Sequence, residues 1–113
     1  MIQCKRIYDP PSAGDGCRIL VDRLWPRGVA RDDARLDDWL KELAPSNELR
    51  RWFGHDPGRW EEFQERYRAE LAGQGPTLER LQEMAARGPV TLLFAAKDEK
   101  HNNAVVLQEL LNA

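Results

Sequence analysis

Two short and nearly unbroken apolar segments constrain the fold more than any other feature of the sequence. The first is Ile19-Leu20-Val21 within CRILVD (17–22), and the second is PVTLLFAAK (89–97). Apolar residues that follow one another without alternation are typical of strands covered on both faces, as in parallel sheets. Helical patterns separate the two segments, which favours a crossover connection between them. The sequence therefore predicts an α/β fold with a small, mostly parallel sheet and helices packed around it.

The other segments predict one further strand and five helices. IQCKRIY (2–8) is rich in residues that favour β-structure. Apolar residues recur at helical spacing, or capping residues open the segment, in 32–43, 46–53, 56–73, 77–88 and 103–113. In the first of these, Asp32 or Asp33 is the expected N-cap, and in the last it is Asn102 or Asn103. The loop 9–16 leaves open whether the first two strands form a hairpin or run parallel.

The same spacing predicts which large side chains form the core. Side chains three or four positions apart lie on one face of a helix, and that face packs against the sheet. On this basis we expect six residues to be buried: Trp39, Trp60, Phe63, Tyr67, Leu81 and Leu107.

Length, charge and cysteine usage narrow the class of protein. A chain of 113 residues is predicted to be a single domain, 1–113, and its net charge of −2 argues against nucleic-acid binding through bulk positive charge. Cys4 and Cys17 lack zinc-site spacing, and His55 and His101 lie far apart. Nucleotide-binding glycine motifs are absent, so we expect no metal and no cofactor. The start MIQCKRIY is unlike a signal peptide, and no apolar run has membrane-spanning length, so a cytoplasmic protein without membrane contact is expected.

Charged residues follow each of the two buried-looking strands. RLWPRG (23–28) comes directly after the first strand, and KDEKHNN (97–103) follows the second. Neighbouring parallel strands end at the same edge of a sheet, and open α/β sheets bind ligands there. Arginines beside a helix N-terminus favour an anion. We therefore expect an anion-binding crevice in which the ligand contacts Arg23, Trp25, Arg27, Lys97, Asn102 and Asn103.

Several roles within this crevice stay open from the sequence. Asp98 and His101 are the candidates for proton transfer, because imidazole titrates near neutral pH. Asp22 could form a carboxylate pair with Asp98, or could instead fix Arg23 or Lys97. Arg23 could hold the ligand, or could be locked in a buried ion pair. The Trp25 ring could stack on a planar ligand or cover the top of the core.

Three blocks of the chain resemble the short, YeaO-like branch of the DUF488 family. They are RILVDRLWPRG, WLKELAPSNELRRWFGHDPGRWEEFQERYRAEL and VTLLFAAKDEKHNNAVVLQELL. The resemblance implies a compact bacterial or archaeal α/β protein and brings no established reaction with it. It adds His55, in WFGHDP, to the expected ligand-binding residues, with Trp52 beside it. Longer relatives carry Cys-His-Arg near the last loop, where this chain has KHNN, so thiol chemistry does not carry over.

Three functions are compatible with these features. The first is binding or processing of a small anionic compound, such as a nucleotide or phosphate ester, at the strand carboxyl ends. The second is a non-catalytic interaction or stress-associated protein whose charged loops form a partner surface. The third is weak association with nucleic acid through Trp25 and a few arginines, which the acidic overall charge disfavours.

Overall fold

The computed structural model describes residues 1–112 and contains a four-stranded sheet in which every pairing is parallel. The strands lie in the order β1-β4-β2-β3 and span Ile2–Arg6 (β1), Cys17–Leu20 (β2), Asp38–Trp39 (β3) and Val90–Phe94 (β4). The α-helices are Arg31–Ala34 (α1), Asn47–Phe53 (α2), Trp60–Leu71 (α3), Gly75–Arg87 (α4) and Asn103–Asn112 (α5). Short 3-10 turns occupy Ala13–Asp15, Lys41–Leu43, Pro57–Arg59 and Ala72–Gln74.

The two apolar segments are adjacent parallel strands, as predicted. Ile19 of β2 pairs with Leu92 of β4, and all five residues of β4 are buried. β4 also pairs with β1, so β4 lies between the first two strands, and these do not form a hairpin. The turn before β2 depends on Gly16, which has a φ of 61° and would place a Cβ 2.1 Å from the Pro89 carbonyl oxygen. Only glycine allows that approach.

Alternating side chains divide the core between the two faces of the sheet. Ile19 and Leu92 point to one face, where α2 to α5 contribute the larger apolar cluster. Leu20 and Leu93 point to the other face, which α1 and the loops around it cover with a smaller cluster. The longer helices, α2 to α5, thus form a single layer on one face of the four-stranded sheet. Within residues 1–112, no helix is both long and apolar enough to cross a membrane.

The predicted helix over 32–43 is wrong. Only Arg31–Ala34 is α-helical, and the N-cap of this helix is Ala30 rather than Asp32 or Asp33. Arg35 then turns the chain in the left-handed region, at a φ of 49°. Asp37 bonds twice with Arg18, because its N–H donates to the Arg18 carbonyl (2.8 Å) and its carboxylate accepts the Arg18 N–H (2.7 Å). The open edge of β2 therefore captures the segment as β3, and tertiary hydrogen bonds override the helical spacing.

The core prediction is confirmed for four residues and wrong for the two tryptophans, which are only half-buried. Phe63, Tyr67, Leu81 and Leu107 are buried. Trp39 lies in β3 rather than on a helix, and its half-buried ring donates from Nε1 to the Asp22 carbonyl (2.7 Å). Trp60 is likewise only half-buried, and it packs at the margin of the larger cluster. The remaining elements differ from their predicted spans only at their ends; Ala113 of the predicted last helix lies outside the described residues.

Three charged residues, Lys5, Asp15 and Arg18, form a paired cluster on the face of the sheet that α1 covers. Asp15 Oδ2 lies 2.5 Å from Arg18 Nη1, and Asp15 Oδ1 lies 3.1 Å from Lys5 Nζ. Arg18 also donates from Nη2 to the Ala34 carbonyl (2.9 Å). Burial alone would raise the pKa of Asp15, but hydrogen bonds from Ser12 and the two cations hold that pKa below its usual range.

Candidate functional site

A cleft of about 740 Å³ opens at the carboxyl ends of β2 and β4. The loop after β2 forms one side, the loop between β4 and α5 forms another, and α2 contributes a third. All nine residues expected at the crevice from the sequence lie around this cleft: Arg23, Trp25, Arg27, His55, Lys97, Asp98, His101, Asn102 and Asn103.

Four cationic side chains line the cleft, namely Arg23, Arg27, Arg50 and Lys97. None of the four forms an ion pair with any residue in the range 1–112. The Arg23 guanidinium has only two long contacts to carbonyl oxygens, with Pro45 (3.4 Å) and Ala44 (3.5 Å). Arg23 is therefore not locked to Asp22 or Asp98, and the four cations, none of them ion-paired in residues 1–112, outnumber the two carboxylates of the lining, Asp22 and Asp98.

The loop 23–28 is held by contacts at both ends. The Arg27 carbonyl accepts a hydrogen bond from the Tyr8 hydroxyl (2.9 Å), and Gly28 turns the chain at a φ of 75°. Trp25 donates from Nε1 to the Val29 carbonyl (2.8 Å), and its ring meets the Trp39 ring edge-on, with centroids 5.3 Å apart. Trp25 thus covers the smaller apolar cluster as well as contributing to the cleft wall.

Asp98 and His101 form a bonded pair at the opposite side of the cleft. His101 Nδ1 lies 2.8 Å from Asp98 Oδ2, while Asp98 Oδ1 accepts the N–H groups of Lys100 (2.9 Å) and His101 (3.1 Å). These bonds, the Lys100 N–H first, lower the pKa of Asp98. The His101 ring also meets the Trp60 ring edge-on, at 5.2 Å between centroids. The pairing fixes the imidazole and directs its Nε2 edge away from Asp98.

Asp22 lies where β2 ends, at the floor of the cleft. Its Oδ2 accepts the Ala95 N–H (2.9 Å), and its Oδ1 accepts the side-chain amide of Asn103 (3.2 Å). Burial raises the pKa of Asp22, and these bonds oppose that shift only in part. Asp22 therefore forms no ion pair with a lysine or arginine in residues 1–112, contrary to the interpretation that it fixes Arg23 or Lys97, while Asp98 lines the same cleft.

The two asparagines at the start of α5 are engaged by the protein itself. Asn102 caps the helix, because its Oδ1 accepts the Val105 N–H (3.0 Å), and its amide donates to the Asp98 carbonyl (2.9 Å). Asn103 donates to the Val21 carbonyl (2.9 Å) and to Asp22. Both side chains thus fix the relative positions of α5, β2 and the last loop.

An apolar wall completes the cleft. Phe53 and Phe63 stack with centroids 4.3 Å apart, and both line the cleft beside Pro26 and Pro45. His55 follows Phe53 with a positive φ of 56°, a region in which histidine occurs more often than most residues. Trp52, expected beside His55, is not part of the lining, since its ring lies against the guanidinium groups of Arg59 and Arg66.

The cleft lining also contains residues that the sequence did not single out for a site, among them Tyr8, Arg50 and Phe53. A signal for two of them was present, because Arg50 and Phe53 are three positions apart in the predicted helix 46–53 and so share a face with the turn that carries His55. Tyr8 had no such signal, since its contact with Arg27 joins two loops.

The described side chains form neither a metal-binding cluster nor a cleft with a cysteine in its lining. Across positions 1–112, no three His, Cys, Asp or Glu side chains are arranged to hold a metal ion. Neither Cys4 nor Cys17 lines the cleft. Burial raises the pKa of Cys4 to about 12, and its Sγ contacts the Ala104 carbonyl (3.3 Å), so this thiol is a packing group.

Comparison with known proteins places the chain among small bacterial relatives. The family model that matches residues 1–113 is described as the inactive DUF488-N3 subclade. YeaO of Escherichia coli K12 is 48% identical over 112 residues, which covers 99% of this chain and 97% of YeaO. Rv3073c of Mycobacterium tuberculosis H37Rv is 40% identical over 111 residues, covering 98% of this chain and 93% of the relative. No solved structure matches. The chain belongs to the DUF488 family.

Proposed function

We propose that the cleft binds a small organic anion, such as a nucleotide or another phosphate ester, and does not convert it. The observation that carries this proposal is the set of four unpaired cations, Arg23, Arg27, Arg50 and Lys97, around one cleft with an apolar wall. The chain as a whole has a net charge of −2, so this positive charge is a local concentration rather than a general property. Such a cleft attracts anions and favours them over neutral compounds.

The division of the lining into charged and apolar parts indicates an anion with an organic body. Guanidinium groups bind phosphate and carboxylate oxygens with paired hydrogen bonds. The exposed side chains of Tyr8 and Leu24 offer apolar surface to the rest of the ligand, and the volume of about 740 Å³ lies in the range of small-molecule sites.

Binding without conversion is favoured by the chemistry of the side chains in the cleft. The family description names the subclade as inactive. The lining contains no cysteine, serine or threonine that could act as a nucleophile. The large apolar side chains exposed in residues 1–112 are Met1, Tyr8 and Leu24, and the last two line the cleft, which favours a small ligand over a broad partner surface.

The test is ligand binding by thermal shift and calorimetry with inorganic phosphate, phenyl phosphate and adenosine monophosphate. We expect the melting temperature to rise with ligand concentration, by mass action. Lys97→Ala and Arg50→Ala should each weaken binding about tenfold, because a hydrogen bond to a charged group is worth roughly 1.5–3 kcal/mol.

Two neighbouring cations provide matched controls. Lys100 and Arg51 are exposed like Lys97 and Arg50 and lie in the same loop and helix, but they are not part of the cleft lining. Lys100→Ala and Arg51→Ala should bind the three compounds as the wild type does. The proposal fails if none of the compounds stabilises the protein, or if the control variants lose as much affinity as the cleft variants.

A second candidate, acid–base processing of the same anion, is favoured by the Asp98–His101 pair. A carboxylate bonded to Nδ1 leaves Nε2 of the imidazole available for proton transfer. Release of phosphate from phenyl phosphate by the wild type, abolished in His101→Gln, would support processing. Under binding alone, the wild type releases no phosphate above the buffer rate.

A further inference from the structure

The cleft lining includes a carboxylate, Asp22, whose hydrogen-bond partners in the described structure are all neutral, with the His55 imidazole as a nearby titratable group. Asp22 accepts hydrogen bonds from the Ala95 N–H and from the Asn103 amide, at 2.9 and 3.2 Å. It forms no ion pair with any side chain in the stretch 1–112. Asp22 is half-buried, and the partial removal of a carboxylate from water without an ion-pair partner has a free-energy cost.

One of the two carboxylate oxygens of Asp22 accepts a hydrogen bond that belongs to the edge of the sheet. The Val21 N–H donates to the Leu93 carbonyl and continues the ladder between β2 and β4. The next donor along this side of the chain, just beyond β4, is the Ala95 N–H, and Asp22 Oδ2 accepts it, so that the carboxylate ends the ladder. A serine or asparagine side chain could accept the same single bond without a charge. The negative charge is therefore more than the sheet requires.

Two neutral donors also leave acceptor capacity free. An ionised carboxylate offers about four lone-pair sites, and the described contacts use one on each oxygen. Asp22 lines the cleft, and burial raises its pKa, while the two hydrogen bonds and the nearby His55 imidazole oppose that shift. A donor that enters the cleft can therefore reach an unsatisfied anion at its floor.

Charge is separated along the cleft. Asp22 lies just beyond the end of β2 and is half-buried, as is its sequence neighbour Arg23, whereas Arg27, Arg50 and Lys97 are exposed and lie at the mouth. The exposed side chains of Tyr8 and Leu24 give the same cleft an apolar surface, to which the buried Phe53 and Phe63 rings contribute little. A ligand that is complementary to all three features has a cation at one end, an apolar middle and an anion at the other end.

We propose that the cleft selects a zwitterionic compound, a phosphate ester that carries a primary ammonium group, with the ammonium bound by Asp22 and the phosphate by the cations at the mouth. This inference rests on the proposed function and narrows it to one class of anion. In this proposal, Asp22 is the residue that favours compounds with an ammonium group over those without one.

The test compares two compounds that differ in one group. In 4-(2-aminoethyl)phenyl phosphate an ammonium stands where 4-propylphenyl phosphate has a methyl group of similar size. Calorimetry on the wild type should show that the amine binds about tenfold tighter or more, since a charge-assisted hydrogen bond is gained. In Asp22→Asn, the ratio of the two affinities should fall to about one.

A second measurement locates the ammonium without any variant. The backbone amide of Ala95 and the side-chain amide of Asn103 both donate to Asp22, so their NMR signals report on its environment. Both signals should shift with the amine and stay in place with the propyl compound. Equal shifts with both compounds would overturn the inference, including in the case that Asp22→Asn does not fold.

The outcomes separate this inference from the proposed function. If both compounds bind the wild type equally, or if the preference for the amine persists in Asp22→Asn, the ammonium site is wrong while anion binding stands. If neither compound binds, the proposed function is wrong, and the ammonium site with it.

Discussion

Two groups of charged residues lie on or beside β2, and they differ in how their charges are paired. In the paired cluster, Asp15 contacts Lys5 and Arg18 directly, and Arg18 also bonds to the Ala34 carbonyl. At the cleft, Asp22 and Arg23 are neighbours in sequence but do not pair with each other. Both groups combine an aspartate with an arginine close to the same strand, so residue type does not distinguish them.

The difference lies in what each group contributes to the folded chain. Buried charges that are fully paired hold a structure in place, and removing one partner is strongly destabilising. Cations that remain unpaired at the mouth of a cleft add little to stability and remain available for a ligand. The comparison indicates that pairing, rather than the presence of charge, separates the structural cluster of this protein from its candidate site.

The largest expected effect concerns the two arginines. Arg18→Met should lower the free energy of unfolding by about 3–5 kcal/mol, because Asp15 and the Ala34 carbonyl lose a buried partner. Arg23→Ala should cost about 1 kcal/mol or less, because its contacts with Pro45 and Ala44 are long. Urea denaturation of both variants measures the difference, and similar losses would remove the distinction between the two groups.

An intermediate effect is expected from the two aspartates. At pH 7, Asp15→Asn should destabilise the protein by about 2–4 kcal/mol, since two cations lose their carboxylate. Asp22→Asn should stay within about 1 kcal/mol of the wild type, because the amide removes an uncompensated charge while its oxygen can still accept a hydrogen bond. Thermal or urea unfolding at pH 7 tests the pair, and a larger loss for Asp22→Asn would contradict the proposed ammonium site.

The pH dependence of stability should have opposite signs for these two carboxyls. The folded-state pKa of Asp15 is lowered, so its stabilisation is present above its unfolded pKa of about 4 and is lost as the pH falls through the folded value. The folded-state pKa of Asp22 is raised, so its contribution is complete below the unfolded pKa and is lost as the pH rises through the folded value. The gap between wild type and Asp15→Asn should therefore narrow below pH 4. If the difference in the free energy of unfolding between the two proteins stays constant from pH 7 to pH 3, the charge of Asp15 does not stabilise the fold.

The smallest effect on stability is expected at the mouth of the cleft. Arg27→Ala, Arg50→Ala and Lys97→Ala should each change the free energy of unfolding by less than about 0.5 kcal/mol, because these exposed side chains have no ion-pair partner in the described structure. The measurement is urea unfolding in a buffer without phosphate. A loss of several kcal/mol in any of the three would indicate a structural role for that residue.

The sequence was sufficient where a local pattern reports on burial. The unbroken apolar runs around Ile19 and Leu92 predicted the two central strands. An expected cap at Ser46 or Asn47 and a stop at Gly54 predicted the limits of α2, where the structure has Ser46 as N-cap and Gly54 as C-cap. The sequence failed where a distant partner competes with a local preference. The helical spacing of 32–43 is genuine, but Asp37 forms two hydrogen bonds with the open edge of β2. An isolated helix of that length is less favourable in free energy than this strand pairing.

For the candidate site, the sequence by itself determined that two charged loops follow adjacent strands, because parallel strands end at one edge. Only the tertiary structure decided which charges are paired and which are left for the cleft. The Asp22 carboxylate meets the Ala95 N–H, 73 positions away, and Arg50 joins the same cleft from a helix. Hydrogen bonds and ion pairs act over about 3 Å between residues that are remote along the chain, and no periodicity or spacing in the sequence records those distances.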